Sequence, residues 1–228
     1  MKLSILIPVY NERETILPIL KIIKDVCVDK EIIIVDDCSS DGTRELLLKN
    51  FGNGRENLKI IYQDVNQGKG SAIKAALAQA KGEYAIIQDA DMEYDPNDYI
   101  LLMEAITKNN TDVVYGSRFK KTWKNTSWWH FLGNIFLTAV TNILYGSRLT
   151  DMETCYKLIR ADIFRDLNIQ SKRFEIEPEI TAKLIKKGYK IIEVPISYRG
   201  RGYHEGKKIG WKDGFATIAT LFKYKFKQ

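Results

Sequence analysis

Short apolar runs alternate with longer amphipathic stretches along the first half of the chain. Residues 3–7, 32–35, 58–62, 84–87 and 112–115 are mostly apolar, and each run is closed by proline, aspartate, glycine or another polar residue. Runs of this length and ending predict buried strands. Between them lie helical patterns. Asn11 can cap a helix carrying Ile16, Leu17, Leu20, Ile23 and Lys24 at helical spacing, and Ser40 or Asp41 can cap a second through Leu48. An alanine-rich stretch at 68–81 and the segment 97–108 predict two more. Strands alternating with helices of this length mean βαβ units, an α/β fold and a mostly parallel central sheet. Right-handed crossovers then put the carboxyl ends of these strands on one edge.

That edge collects polar chemistry. It gathers Pro8-Val9-Tyr10-Asn11-Glu12, Asp36-Asp37, Asn66-Gln67-Gly68-Lys69-Gly70, Asp89-Ala90-Asp91 and Gly116-Ser117-Arg118. Open α/β sheets bind ligands at this edge. Asp89 and Asp91, one residue apart, repel each other unless a cation or hydrogen-bond donors neutralise them. Mg²⁺ or Mn²⁺ suits such a pair, because hard cations take one or two carboxylates and complete their shell with substrate phosphates. Glu93 can add a third ligand oxygen or stand as an exposed loop acid. The glycines around Lys69 lack P-loop spacing, so a P-loop is rejected; they predict a tight turn, with Lys69 near a phosphate. Arg118 fits a forked contact to phosphate, or else an ion pair with a loop carboxylate.

Bulk properties narrow the classes. With 228 residues, 45% hydrophobic and 28% charged, the chain is an ordinary globular protein long enough for a large core. A net charge of +6 favours anionic partners such as nucleotides or phospholipid surfaces. Nucleic acid is disfavoured, because carboxylate clusters on the ligand edge would repel its backbone. Three cysteines without metal spacing and a first apolar run too short for a signal peptide predict a reduced, cytoplasmic setting.

The segments IPVYNE, VDDCSSDGT, NQGKGSAI, DADMEYDP, GSRF, DMETCYK, FEIEPEI and EVPISYRGR, in this order, resemble the family 2 glycosyltransferases of GT-A fold, and within them the polyprenyl-phosphate mannose synthases of dolichol-phosphate type. The resemblance runs over the whole chain. It implies an inverting transfer of a hexose from a GDP- or UDP-sugar to a polyprenyl phosphate. Residues 1–118 would be the nucleotide-sugar half and 119–228 the acceptor and membrane-interface half of one GT-A domain. Pro8, Tyr10 and Glu12 would line base and ribose, Asp37 would contact the base, and Asp89, Ala90 and Asp91 would lie at the diphosphate and its metal. Arg201, in a basic loop with Arg199, Lys207 and Lys208, would close over the diphosphate.

Asp151, Glu153 and Tyr156 introduce the second half. An acid here serves as general base in relatives that glycosylate hydroxyls, whereas a phosphate acceptor arrives largely ionised and hardly needs one. Asp151 is therefore expected to position the sugar or an acceptor-binding arginine. A hydroxyl acceptor, with Asp151 or Glu153 as base, is the enzymatic alternative, and a nucleotide-binding module without catalysis is the other. Glu177 and Glu179 mark a helix start, with Glu179 a secondary candidate for the sugar site.

Residues 125–147 hold no Asp, Glu, Lys or Arg. Their length nearly suffices for a membrane span. Asn134, Thr138, Thr141 and Asn142 nonetheless make a polar stripe, and a single span would put Arg201 across the bilayer from Asp91. One or two helices lying in the inner membrane surface are expected, beside Lys120, Lys121 and Lys124, with packing on the core or on a second copy as the other reading.

Overall fold

The computed structural model describes residues 1–120, 128–201 and 211–227. From the N-terminus come β1 (Leu3–Val9), α1 (Ile16–Asp25), β2 (Lys30–Asp36) and α2 (Thr43–Phe51). A two-residue strand β3 (Gly54–Arg55) leads into β4 (Leu58–Tyr62), α3 (Lys69–Leu77), β5 (Tyr84–Ile87), α4 (Asp98–Asn109) and β6 (Val113–Ser117). The rest comprises α5 (Trp128–Tyr145), β7 (Lys157–Arg160), α6 (Ala161–Asp166), α7 (Ile176–Lys186), β8 (Ile191–Pro195) and α8 (Trp211–Phe226).

The described strands form one sheet in the order β3-β4-β2-β1-β5-β7-β6-β8. Strands β1, β2, β4 and β5 pair in parallel, as do β6 and β8. The sheet is nevertheless mixed, because β7 runs antiparallel to both β5 and β6. That reversal matters for the site. The carboxyl ends of β1, β2, β4, β5, β6 and β8 share one edge, and at β7 it is the amino end, with the preceding loop 151–156, that lies there.

Burial explains the strands' composition. β1 and β2 are buried along almost their whole length, with Leu6, Ile7, Ile34 and Val35 fully enclosed, as a sheet covered on both faces requires. Helix α1 buries Ile16, Ile19, Leu20 and Ile23 on one stripe. Each such side chain gains roughly 1.5–3 kcal/mol from leaving water.

Two local readings change. Asn11 does not cap α1: it takes a left-handed backbone (φ 52°), and its side chain accepts from the Ser40 N–H at 2.8 Å. It ties the β1 loop to the β2 loop, and the helix begins five residues beyond it, at Ile16. Gly68 and Gly70 serve more than a turn. A Cβ at Gly68 would meet the Lys172 carbonyl oxygen at 2.5 Å, and one at Gly70 the Ser171 carbonyl oxygen at 2.5 Å. The start of α3 therefore lies directly against the backbone of the loop before α7.

Candidate active site

A cavity of about 420 Å³ opens on the polar edge of the sheet. Pro8, Tyr10, Glu12, Asp37, Lys69, Asp89, Ala90, Asp91, Glu93, Arg118 and Arg201 all line it. Asp151 does not; it is fully buried behind Arg118. Three of the loops that shape the cavity carry a non-glycine residue with left-handed backbone, Asn11, Cys38 and Met92. Such conformations cost of order 1–3 kcal/mol and persist where the surroundings fix them. Asp37 helps to fix two loops at once, because its carboxylate accepts the Gln67 and Gly68 N–H groups, each at 2.7 Å.

The two aspartates of the D-x-D have different partners. Lys69 Nζ lies 2.8 Å from Asp89, and Arg201 Nη2 lies 3.2 Å from Asp91. The Arg201 guanidinium also forks onto Glu12, with both contacts at 3.1 Å. Burial alone would raise the Asp89 carboxyl, but Lys69, with smaller contributions from Cys155 and Arg201, holds the group below its ordinary range. Asp91 goes the other way: burial, then repulsion from Asp89 and Glu93, pushes it up to about 7. The cluster thus carries more negative charge than its own cations neutralise. An all-oxygen donor set of this kind fits a hard divalent cation. Glu93 is occupied elsewhere, since its carboxylate accepts the Tyr198 hydroxyl and the Arg201 N–H, both at 2.7 Å. Among the described residues, no group of three or more His, Cys, Asp or Glu converges on a metal position.

Arg118 and Asp151 form a closed fork. Nε and Nη2 of Arg118 each lie 2.7 Å from an Asp151 oxygen, and the Arg118 backbone N–H adds a third bond at 2.9 Å. Although burial opposes it, Asp151 raises the Arg118 pKa further above its already high value, so the guanidinium stays charged. The guanidinium also lies over the Tyr198 ring, 5.1 Å from its centroid. Asp151 is thus held as the ion-pair partner of an arginine.

Two further acids reach the cavity. Glu177 at the start of α7 pairs with the fully buried Lys157 and lies 3.3 Å from Lys69. Glu179, the secondary candidate, turns away: its carboxylate accepts the Gln170 and Ser171 N–H groups and pairs with Lys183. Residues i and i+2 lie on different helix faces, and sequence alone does not show which face meets a cavity. Glu153 also lines the cavity, and burial pushes its carboxyl up to about 7.

An acid whose pKa is raised in the folded state binds a proton on folding, so it costs stability as pH climbs past its unfolded value. Glu153→Gln is therefore expected to raise Tm at pH 8 and to have little effect at pH 4.5. Equal Tm differences at the two pH values would show that Glu153 is not perturbed.

The family profile described as Glycosyl transferase family 2 matches residues 4–167. An uncharacterised protein of Methanocaldococcus jannaschii is 30% identical over 88% of each chain. A dolichol-phosphate mannosyltransferase of Pyrococcus furiosus is 29% identical over 98% of this chain and 62% of its own length. An undecaprenyl-phosphate mannosyltransferase of Micrococcus luteus is 27% identical over 96% of this chain and 92% of its own. Among solved structures, glucosyl-3-phosphoglycerate synthase from Mycobacterium tuberculosis in complex with UDP superposes with a TM-score of 0.73 at 17% identity. The match covers 98% of this chain and 80% of that one. The same enzyme has been crystallised with Mn²⁺, UDP and phosphoglyceric acid. The shared architecture is the GT-A fold.

Proposed function

This chain belongs to glycosyl transferase family 2 and is a transferase, and from that premise we propose that it moves a hexose from a nucleotide-diphosphate sugar to a polyprenyl phosphate at a membrane surface. One observation carries the lipid part of this reading. Helices α5 and α8 pack inward through Leu137, Val140, Leu144 and Leu221, yet they carry large apolar side chains on their outer faces as well. In α5, Thr138 and Thr141 are buried, whereas Leu132, Ile135, Phe136 and Ile143 face outward. In α8, Thr217 and Thr220 are buried, whereas Phe215, Phe222 and Phe226 are exposed. A surface helix in water keeps its outer face polar. Exposed Lys223, Lys225 and Lys227 surround the α8 aromatics, as suits an anionic interface. Asn134 and Leu137 of α5 and Thr217 of α8 also line the cavity, so the apolar faces lie beside the reaction site. Among the described residues, no helix is long and apolar enough to cross a membrane. Trp128, Trp129, Lys121 and Lys124, also expected at these surfaces, and Lys207 and Lys208, expected in the loop over the diphosphate, fall outside the residues or side chains described.

The chemistry follows from placement. The acceptor phosphate oxygen attacks the anomeric carbon while the nucleotide diphosphate departs from the opposite face, so the configuration inverts. Asp91, with Asp89, would hold Mg²⁺ or Mn²⁺, which supplies charge neutralisation for the departing diphosphate. Arg201 leaves Glu12 and Asp91 to bind diphosphate oxygens. Arg118, oriented by Asp151, meets the acceptor phosphate with a permanent positive charge. No base is needed, because a phosphate monoester is mostly ionised near neutral pH.

A hydroxyl acceptor has one observation in its favour, the Glu153 carboxyl near 7, where a general base works best. The test is to offer GDP- and UDP-hexoses with polyprenyl phosphate in vesicles and, in parallel, with soluble sugar alcohols. Faster transfer to the lipid phosphate is expected. Faster transfer to the alcohol would replace this reading with the hydroxyl one.

A further inference from the structure

Among the described residues, few buried side-chain polar atoms lack a hydrogen bond, and most of those that do lie in one place. Among the described residues they are Gln63 Oε1, Glu153 Oε1, Glu177 Oε1, Arg201 Nε and the Tyr224 hydroxyl. Three of these five residues, Glu153, Glu177 and Arg201, line the one cavity described above. A buried polar atom without a partner costs about 1–3 kcal/mol, so a cluster of them calls for a missing ligand. Arg201 Nε belongs with the diphosphate. The other two are carboxylate oxygens, and they lie beyond the D-x-D on the side of the second half.

Their surroundings define what they can accept. Glu177 is almost fully buried, and its Oε2 is taken by Lys157, whose ammonium is itself enclosed and also donates to the Thr154 carbonyl. Its Oε1 is ion-paired with Lys69 Nζ at 3.3 Å but accepts no hydrogen bond. Glu153 and Glu177 are close enough for the charge of one to raise the pKa of the other. Lys69 and Lys157 are thus committed to acids, and what remains open to a ligand is a pair of acceptor oxygens. Arg173 reaches only the rim, where it is exposed. Buried acceptors whose buried lysine neighbours are already paired match a ligand rich in hydroxyl donors and lacking its own negative charge.

We propose that Glu153 and Glu177 form the pocket for the transferred sugar, accept its hydroxyl protons, and select a neutral hexose over the corresponding hexuronate. This rests on the nucleotide-sugar reading above. It differs from assigning Glu153 as a base, because it puts both acids on the donor and makes their effect one of binding. A carboxylate on the sugar would bring a further negative charge to two buried acids that are already hard to ionise together, whereas a CH₂OH or ring hydroxyl would supply the hydrogen bonds they lack.

Binding separates the possibilities. Titration calorimetry on the full chain would compare a nucleoside diphosphate, its hexose conjugate and its hexuronate conjugate in the base series that binds, for example UDP, UDP-glucose and UDP-glucuronate. The wild type is expected to bind the hexose conjugate about tenfold or more tightly than the hexuronate, roughly the value of one charge-assisted hydrogen bond. Glu153→Leu removes the acceptor and should weaken the hexose conjugate about tenfold with the bare diphosphate unchanged. Glu177→Gln should reduce the discrimination against the hexuronate, and its Tm shows whether the Lys157 pairing has been disturbed. Unchanged hexose-conjugate affinity in Glu153→Leu, or equal affinity of the wild type for hexose and hexuronate, overturns the assignment and leaves the glycosyltransferase reading intact. A fall in kcat with no change in donor affinity also overturns it, in favour of Glu153 as a base. Failure to bind any nucleoside diphosphate would overturn the nucleotide-sugar reading itself and the sugar pocket with it.

Discussion

Asp91→Asn is expected to lower sugar transfer by about 10²–10³-fold while leaving the fold intact or slightly more stable. The two effects have separate causes. A ligand carboxylate at the departing diphosphate is worth several kcal/mol in the transition state, and each 1.36 kcal/mol is tenfold in rate. In the ligand-free protein the same carboxylate is a burden, because burial and the neighbouring acids push it up to about 7. The sign is opposite to that of an ion-paired acid: a raised carboxyl penalises the folded state above its ordinary pKa, and an amide removes that penalty. Asp89→Asn should behave differently. Asp89 is paired with Lys69, so its loss should cost both turnover and stability, Lys69 being left between Glu177 and no second acid. Initial rates with Mn²⁺ and after EDTA, taken beside Tm for both variants, check this. An Asp91→Asn enzyme of near-normal rate in EDTA would remove Asp91 from the chemistry.

The second large effect is on stability. Asp151→Asn leaves the Arg118 guanidinium buried with its fork broken, and losing one partner of a buried pair costs about 3–5 kcal/mol. For a chain of this size that is a fall in Tm of roughly ten degrees. Replacing both partners, Arg118→Met with Asp151→Leu, should recover much of the stability, because no buried charge remains, and should recover none of the transfer. Chemical denaturation of the two single variants and the double variant gives the coupling. If Asp151→Asn instead kept its full Tm and lost 10²–10⁴-fold in turnover, Asp151 would be a base and the acceptor a hydroxyl.

Much of the sheet edge was legible in the sequence because its parallel strands in the first half are apolar runs that end in polar residues. The runs at 3–7, 58–62 and 84–87 coincide with β1, β4 and β5 to within two residues. β7 was hidden for a physical reason. It has four residues, and the first is Lys157, a charge that reads as surface and is in fact buried against Glu177. A buried ion pair cannot be recognised until both members are placed, and these stand 20 residues apart. The same limit applies to Arg118. Its fork geometry pointed to a phosphate or a carboxylate, and only the folded chain brings Asp151 to it from 33 residues away. Glu153 and Glu177 show the limit most clearly, since their distinction is a missing hydrogen bond, which no sequence pattern encodes.

The placement of β7 also sets an order of events during synthesis. β6 leaves the ribosome before β7, yet it has no hydrogen bonds to β5; it joins the sheet only through β7, and its other neighbour is β8. Until residue 160 has emerged, β5 ends the nascent sheet as an open edge built of Tyr84, Ala85, Ile86 and Ile87, all buried in the finished protein. An apolar edge with unpaired backbone groups is a template for pairing with another chain. The antiparallel strand that brings loop 151–156 to this edge therefore leaves the growing chain with an open apolar strand for some 70 residues of translation.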